Sequence, residues 1–452
     1  MKRFRACSVD QPLLLAPSLH DWLPERHLAR FVARVVEEID LGPILDDYAR
    51  KDGRGQAAYH PEMMVRLLVY CYAIGQRSSR GIEEATHDNV AVRYLAADQH
   101  PDHSSIAGFR QRHLDALAGL FVEVLRLCQK AGMVRLGEIA IDGTKLAGDA
   151  SHRRSRRYER LTEKELEWVA QMEKLLSEAA AIDAAEDRQY GPDQRREQLP
   201  EELSTAKRQL AQIRLAKQEL EREAREKAEQ AAQEKAAQQG KPRDEAQNKR
   251  WQRARSGQPA PKTQANLTDP ESRLVKDGAT KAIIQGYNAQ AAADGAHQII
   301  VAQTVTQQAN DKQQLTPMLA AVEENVGPIT GLVTADAGYW NEESLQAALA
   351  SGVDVLVPPD GGKTAGKQKR PANAPQGTLA QQMRERLATE SGKKEYRRRG
   401  AIIEPVFGHI KQLRGYRRFS FRGLRKVQAE WGIICMAMNL RKLFRYQQTA
   451  PA

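Results

Sequence analysis

The stretch Ile139-Ala-Ile-Asp-Gly-Thr-Lys145 carries an acidic residue, Asp142, directly behind a short apolar run. Such runs are typical of buried β-strands, and we predict a strand within residues 137–144 that ends at Asp142. A second strand is predicted for residues 331–335, and it leads into Asp336 within Leu332-Val-Thr-Ala-Asp-Ala-Gly-Tyr339. Two strands that each deliver a carboxylate can bring both carboxylates to one site.

A third acidic residue, Glu404, lies in Ile402-Ile-Glu-Pro-Val-Phe-Gly-His-Ile-Lys411, at the start of a helix predicted for residues 402–413. Each signal has an ordinary alternative, because Asp-Gly pairs often form turns and the helix dipole stabilises an acid in a first helical turn. In combination the three carboxylates indicate a site for two Mg²⁺ ions, with Mn²⁺ as a substitute, since Mg²⁺ prefers oxygen ligands. Two such ions can assist both the attacking and the leaving oxygen of a phosphodiester.

The bulk composition favours a polyanionic partner. The chain has 452 residues and a formal net charge of +11, which suits nucleic acid but does not prove it. Its four cysteines are widely spaced and fit a reducing cytoplasm. We see neither a signal peptide nor an apolar run long enough to cross a membrane, and expect no membrane partner.

Residues 1–130 are predicted to form a helical N-terminal domain. Pro61 stands at a first helical position, Gly75 can end that helix, and a longer helix is expected from Ser104 to Cys128. Arginines between the short helices give the domain a possible role in DNA binding, against the alternative of an ordinary helical domain with solvated arginines. These arginines are Arg77, Arg80, Arg93, Arg110 and Arg112.

The second domain, residues 131–450, is predicted to be interrupted by an insertion over residues 150–265. Residues 158–236 are rich in Glu, Lys, Arg, Gln and Ala, with apolar positions at helical spacing, and predict a charged antiparallel helical hairpin. Residues 237–265 contain several Gly and Pro residues and predict a linker. The strands before and after the insertion lack enough partners separately, so we expect them to form one sheet.

Strands and helices alternate after the insertion. Strands are predicted for residues 283–292, 299–306 and 353–357, with helices from 311 to 325 and from Asn341. This alternation predicts an α/β sheet covered by helices. Residues 361–378 predict a basic loop, and a last helix is expected over residues 426–446.

Basic residues surround Glu404. Between Lys393 and Lys426 there are twelve Lys or Arg residues and only two acids, which suits a carboxylate at a metal with phosphates held around it. Arg414, Arg417 and Arg418 are predicted phosphate contacts. The alternative is a solvated basic helix with Glu404 as a counter-charge.

The combined segments resemble the DDE transposases of bacterial insertion sequences, in the group with a tyrosine–arginine–glutamate–lysine signature. Tyr59-His-Pro61 and Ser105-Ile-Ala-Gly-Phe-Arg110 resemble the helical N-terminal domain of these proteins. The other segments are Ile141-Asp-Gly-Thr-Lys145, Asn266-Leu-Thr-Asp-Pro-Glu-Ser272, Gln285-Gly-Tyr-Asn-Ala-Gln290, Asn310-Asp311, Thr334-Ala-Asp-Ala-Gly-Tyr339 and Ile403-Glu-Pro-Val-Phe-Gly-His-Ile-Lys411.

The resemblance implies an α/β ribonuclease H-like catalytic core with two divalent ions on Asp142, Asp336 and Glu404. It implies cleavage and strand transfer of double-stranded DNA at the element's terminal inverted repeats, by a homodimer that joins two ends. It also implies a location in the bacterial cytoplasm, at the nucleoid. Lys411, seven residues after Glu404, matches the signature lysine and is expected to contact DNA. Arg399 lies one residue earlier than the signature arginine, whose position holds Gly400, and is included as a candidate DNA contact.

Two other functions share some of these sequence features. Aspartyl phosphatases also carry a nucleophilic Asp behind a strand, but the residue two positions after Asp142 is Thr144 and not a second Asp. A transposase-derived DNA-binding protein without catalytic activity is the main alternative. The intact acidic triad argues against it, although inactivity could arise elsewhere in the chain.

Overall fold

The computed structural model describes residues 18–49, 57–190, 201–237, 258–278, 280–359 and 378–449. Most of the predicted linker at 237–265, and all but the last residue of the predicted basic loop at 361–378, lie outside the described residues. In the described ranges, no helix combines the length and apolar character needed to cross a membrane. Cys71, Cys128 and Cys435 are buried free thiols.

The N-terminal region is helical, as predicted. The expected single helix from Ser104 to Cys128 is wrong, because the chain bends at the buried His113 and forms two helices. Asp102 begins the first of them by accepting hydrogen bonds from the backbone N–H groups of Ser104 and Ser105, both at 2.9 Å. The helices are α1 (Leu19–Trp22), α2 (Leu28–Glu38), α3 (Gly42–Ala49), α4 (Pro61–Ile74), α5 (Ser79–Asp88), α6 (Val90–Leu95), α7 (His103–Arg112) and α8 (Leu114–Lys130).

A six-stranded mixed sheet forms the centre of the second domain. Its strands are β1 (Glu138–Ala147), β4 (Arg273–Lys276), β5 (Ile283–Asp294), β6 (Ile300–Thr306), β7 (Leu332–Ala335) and β8 (Val355–Leu356). The order is β4-β5-β1-β7-β8, and β6 pairs with β5 beside β4. β5 is antiparallel to β1, whereas β1, β7 and β8 are parallel to one another.

The prediction that the first strand stops near Asp142 is wrong. β1 continues through Asp142 to Ala147, because β5 pairs with it over nine residues, from Ile139 opposite Asp294 to Ala147 opposite Gly286. The Asp-Gly-Thr sequence is therefore part of a central strand and not a turn.

The charged insertion leaves the sheet and returns to it, as predicted. Helices α9 (Tyr158–Tyr190) and α10 (Glu201–Ala237) pack together, and the short strands β2 (Ser155–Arg157) and β3 (Gln264–Asn266) pair at their base. A small separate core includes Leu161 and Ile213. One continuous sheet on both sides of an insertion is thus confirmed.

The remaining helices cover the sheet. They are α11 (Leu315–Val326), α12 (Glu342–Ala350), α13 (Leu379–Ala388), α14 (Glu390–Gly408) and α15 (Leu424–Thr449), with a π-helical turn at His409–Leu413. α15 packs against α4, α8 and β6 and joins the N-terminal helices and the sheet in one hydrophobic core. Asn439 in α15 bonds both the N–H and the C=O of Ile300, each at 2.8 Å.

Glu404 does not begin a helix. α14 starts at Glu390, where Thr389 caps it, so Glu404 lies near the helix's C-terminal end, far from the first turn. The stabilisation of a first-turn acid by the helix dipole therefore does not apply. Pro405 has no N–H to bond the carbonyl of Ala401, and the side-chain amide of Gln298 donates to that carbonyl at 2.9 Å.

Candidate active site

Two aspartates far apart in sequence become neighbours on adjacent parallel strands. The register pairs Ile141 of β1 with Ala335 of β7, and Asp142 and Asp336 are the residues that follow. Adjacent strands lie about 4.8 Å apart, so the two residues lie side by side. Asp336 is the first residue beyond its strand and accepts a hydrogen bond from the N–H of Gly338 at 2.8 Å.

Both carboxyl groups have raised pKa values. Burial raises the pKa of Asp142 to about 6, and the neighbouring charge of Asp336 adds to the shift against the opposing effect of Arg399. Burial also raises the pKa of Asp336, with a further contribution from Asp311. Two buried carboxylates that repel each other are a combination common at functional sites and costly elsewhere.

Arg399 supplies a positive charge to this pair. It extends from α14, and its Nη1 lies 3.1 Å from Oδ2 of Asp142, with both side chains mostly buried. The guanidinium also lies over the ring of Tyr396, 5.6 Å from its centroid. Its Nε is buried and has no hydrogen-bond partner in the described chain, so one donor remains available.

A second polar group lies beside Asp336 and was not assigned from the sequence. Asp311 accepts hydrogen bonds from Nζ of Lys145 (3.2 Å), Nδ2 of Asn288 (2.6 Å) and Nε2 of Gln290 (2.7 Å). Tyr339 donates to the side-chain oxygen of Gln290. Each of these residues lies in a segment that carries the family resemblance, and that clustering was the available signal.

Gly143 makes the packing of these groups possible. It pairs with Gln290 across β1 and β5, and a Cβ atom at this position would lie 2.5 Å from Nε2 of Gln290 and 2.9 Å from Oδ1 of Asp311. Any larger residue would displace the amides that hold Asp311. The glycine of Asp-Gly-Thr is therefore required by close packing and not by a turn.

Glu404 is exposed and stands apart from the two aspartates. In the described chain it forms no hydrogen bond and no ion pair, and it is not among the main charges that shift the pKa of Asp142 or Asp336. Its carboxylate lies back along α14 over Gly400, where an added Cβ would be 3.0 Å from Oε1. Glycine at this position leaves room for that side chain.

The described residues include no group of three or more His, Cys, Asp or Glu side chains arranged to hold a metal ion. The two aspartates nevertheless fit a divalent cation, because they offer hard oxygen donors and their mutual repulsion would be relieved by one. Mg²⁺ often uses only one or two carboxylates and keeps several waters. Glu404 is not positioned with them in this structure.

Two of the predicted phosphate contacts lie in a loop that pairs with the last residue of β1. Arg417 and Arg418 are exposed, and their segment pairs with the end of the strand, where the N–H of Phe419 donates to the carbonyl of Ala147 at 2.8 Å. The buried carboxylate of Glu430 holds the far side of the loop by accepting from the N–H of Ser420 at 2.8 Å.

Arg414 is half-buried at the start of this loop, and Lys411 is half-buried with its Nζ 3.8 Å from Oδ1 of Asp277. Arg399 contacts Asp142, so the structure places it with the carboxylates. The predicted basic contacts therefore lie along α14, the π-helical turn and the following loop.

The arginines of the N-terminal domain have mixed surroundings. Arg110 is buried, donates to the carbonyl of Arg77 at 2.7 Å and lies over the ring of Phe421. It therefore joins the N-terminal helices to the loop that contains Arg417 and Arg418. Arg93 pairs with Asp98. Tyr416 of the loop also donates to the carbonyl of Tyr72 at 2.7 Å.

Two models of known families match the chain. A family model described as Transposase DDE domain matches residues 256–440, and one described as Transposase domain (DUF772) matches residues 17–112. Together they cover more than half of the chain, which belongs to the DDE transposases of insertion sequences. No curated protein and no solved structure matches the chain. Asp336 and Glu404 lie inside the matched DDE domain, whereas Asp142 lies outside both matched segments.

Proposed function

We propose that this transposase cleaves DNA at the terminal inverted repeats of its own insertion sequence and joins the freed ends to target DNA, with a divalent metal. Asp142 and Asp336 are its metal ligands, and Glu404 completes the site. The mixed sheet, with parallel strands following antiparallel ones, supports the ribonuclease H-like core that a DDE transposase domain implies.

One observation carries the proposal. Residues 142 and 336 are separated by the whole insertion, yet the strand register places their carboxyl groups side by side, partly buried and with raised pKa values. Folding alone gives no reason to bury two like charges together. A polar reaction centre does give such a reason.

The bound metal would polarise the scissile phosphate and stabilise the charge on the attacking and leaving oxygens. Asp142 and Asp336 present oxygen donors from a rigid sheet, which fixes their positions. Arg399 places a positive charge beside Asp142, where it would attract a phosphate that binds at the metal. Water first adds to phosphorus and displaces the 3′ oxygen of the element, and that 3′ hydroxyl then displaces a 3′ oxygen of target DNA.

Glu404 is free to move, since its carboxylate is exposed and makes no hydrogen bond or ion pair in the described chain. The π-helical turn begins five residues later, and such turns are frequent at functional sites. We propose that DNA and metal bring Glu404 into the site.

The first experiment measures excision in cells of the segment bounded by the inverted repeats that flank this gene. Wild type is compared with Asp142→Ala, Asp336→Ala and Glu404→Ala, and binding to the repeats is measured with purified proteins. Loss of excision with binding retained is expected for all three. Excision by any one variant would remove that residue from the site.

A catalytically inactive DNA-binding protein is the second candidate. The separation of Glu404 from the aspartates is the observation that favours it. Binding to the repeats without excision by the wild type would support this candidate and overturn the proposed catalysis.

A further inference from the structure

A pocket lies between the C-terminal end of α14, with the π-helical turn that follows it, and α15. Five basic side chains line it: His409, Arg414, Arg441, Lys442 and Arg445. Apolar side chains, among them Val406 and Met438, complete its wall. This set of residues is called the Arg441 pocket below.

The charge of the Arg441 pocket is not balanced. Within the described chain, no Asp or Glu lines it, and Arg414, Arg441 and Arg445 form no ion pair. Other arginines of the same protein are paired, such as Arg222 with Glu219 and Glu226 in the insertion. A cluster of positive charge without a counter-charge is a binding surface for an anion.

The polar contacts inside the pocket go to backbone carbonyls, so they leave the positive charge of its arginines unbalanced. Arg441 donates to the carbonyl of Ala73 at 3.2 Å, and Lys442 donates to the carbonyl of Gln298. Burial, reinforced by the charges of Arg414 and Arg445, lowers the pKa of Arg441 to about 10. The cations thus destabilise one another, and a bound anion would relieve that repulsion.

The location of the pocket favours a DNA phosphate as the anion that it binds. His409 lies ten residues beyond Arg399, which corresponds to about 15 Å along a helix and to roughly four base-pair steps of DNA. Arg414 also begins the loop that exposes Arg417 and Arg418. A chain of phosphates that starts at the two aspartates could therefore continue over the pocket.

We propose that the Arg441 pocket binds a backbone phosphate of DNA a few nucleotides from the cleaved bond. This inference rests on the proposed function, because it takes the DNA as substrate of the aspartate site. The contact is independent of sequence and positions the DNA end relative to the reaction centre.

The test measures binding of a labelled duplex that carries the flanking inverted repeat, and of a scrambled duplex of equal length, over a series of salt concentrations. Arg445→Gln and Arg441→Gln are compared with wild type. Each lost phosphate contact should reduce the slope of log K against log salt by about 0.9, on both duplexes. Arg445 is exposed, so its replacement should not disturb folding, which thermal unfolding verifies.

Two controls match these variants. Arg445→Lys keeps the charge and should retain the wild-type slope, whereas Arg222→Gln removes an equal charge from the insertion and should leave the slope unchanged. Wild-type slopes in both pocket variants, or an equal loss in Arg222→Gln, would overturn the inference.

A test with inorganic phosphate distinguishes free phosphate from a DNA phosphate as the anion bound in the pocket. If inorganic phosphate stabilises wild type but not Arg441→Gln while the DNA slopes stay equal, the pocket binds free phosphate and the inference is wrong. Failure of the proposed function has a different signature, because wild type would then not excise the element, whereas the inference fails when both pocket variants keep the wild-type salt slope.

Discussion

Arg399 reaches Asp142 across 257 residues of sequence, with Nη1 3.1 Å from Oδ2. This ion pair joins α14, which carries Glu404, to the central strand β1. It places a cation against one of two repelling aspartates and leaves the Nε of Arg399 unpaired in the described chain. The helix that carries the third acid is therefore held at the site by an arginine and not by that acid.

Replacing Arg399 by Met should destabilise the metal-free protein. Loss of the guanidinium leaves the carboxylate of Asp142 buried beside Asp336 without a partner, which costs about 1–3 kcal/mol. Urea denaturation in the presence of a chelator measures the change. In an Asp142→Asn background the same replacement should cost much less, and equal costs in the two backgrounds would show that the pair contributes nothing.

Gly143→Ala should destabilise the fold and abolish excision. The new methyl group would lie 2.5 Å from the amide of Gln290, so the groups that hold Asp311 must move. We expect a loss of about 1–3 kcal/mol, typical of overpacking. Gly119→Ala is the matched control, because Gly119 lies in α8 with open space around it and the change should stabilise by about 0.5–1 kcal/mol. Equal effects of the two substitutions would contradict the packing role of Gly143.

The sequence predicted the two strands that precede the aspartates better than it predicted where β1 ends. The apolar runs before Asp142 and Asp336 marked two central strands, and the register confirms that the two residues are neighbours. The end of β1 was wrong because Asp-Gly has a strong local preference for turns, whereas pairing with β5 is a long-range interaction that overrides it.

The placement of Glu404 shows a different limit. Its helix was predicted, but the start was placed twelve residues too late, because Lys and Arg at residues 393–399 show little apolar periodicity. Asp311, Lys145 and Gln290 were not assigned as site residues, since polar residues in separate segments converge only through the sheet register.

Gly400→Ala should separate stability from activity. Alanine favours the interior of α14 over glycine by about 0.5–1 kcal/mol, but its Cβ would lie 3.0 Å from Oε1 of Glu404 and displace that carboxylate. We therefore expect a higher unfolding temperature with excision retained, because the proposed reaction already requires Glu404 to leave this resting position. Glu404→Gln combined with Gly400→Ala should keep the added stability and lose excision, and loss of excision in Gly400→Ala alone would show that the resting position of Glu404 matters for the reaction.

The lowered pKa of Lys442 predicts how the unfolding free energy depends on pH. Burial lowers the pKa of its amine to about 7 from an ordinary value of 10.5, so the folded protein releases this proton more readily than the unfolded chain. The groups that face the amine are Arg445 on its own helix and Cys128 of α8, with the carbonyl of Gln298. The unfolding free energy should therefore rise with pH between about 7 and 10.5, because the unfolded chain binds more protons in that window. Urea denaturation across this range measures the rise, and Lys442→Met should flatten it. A variant as pH-dependent as wild type would assign the effect to another group.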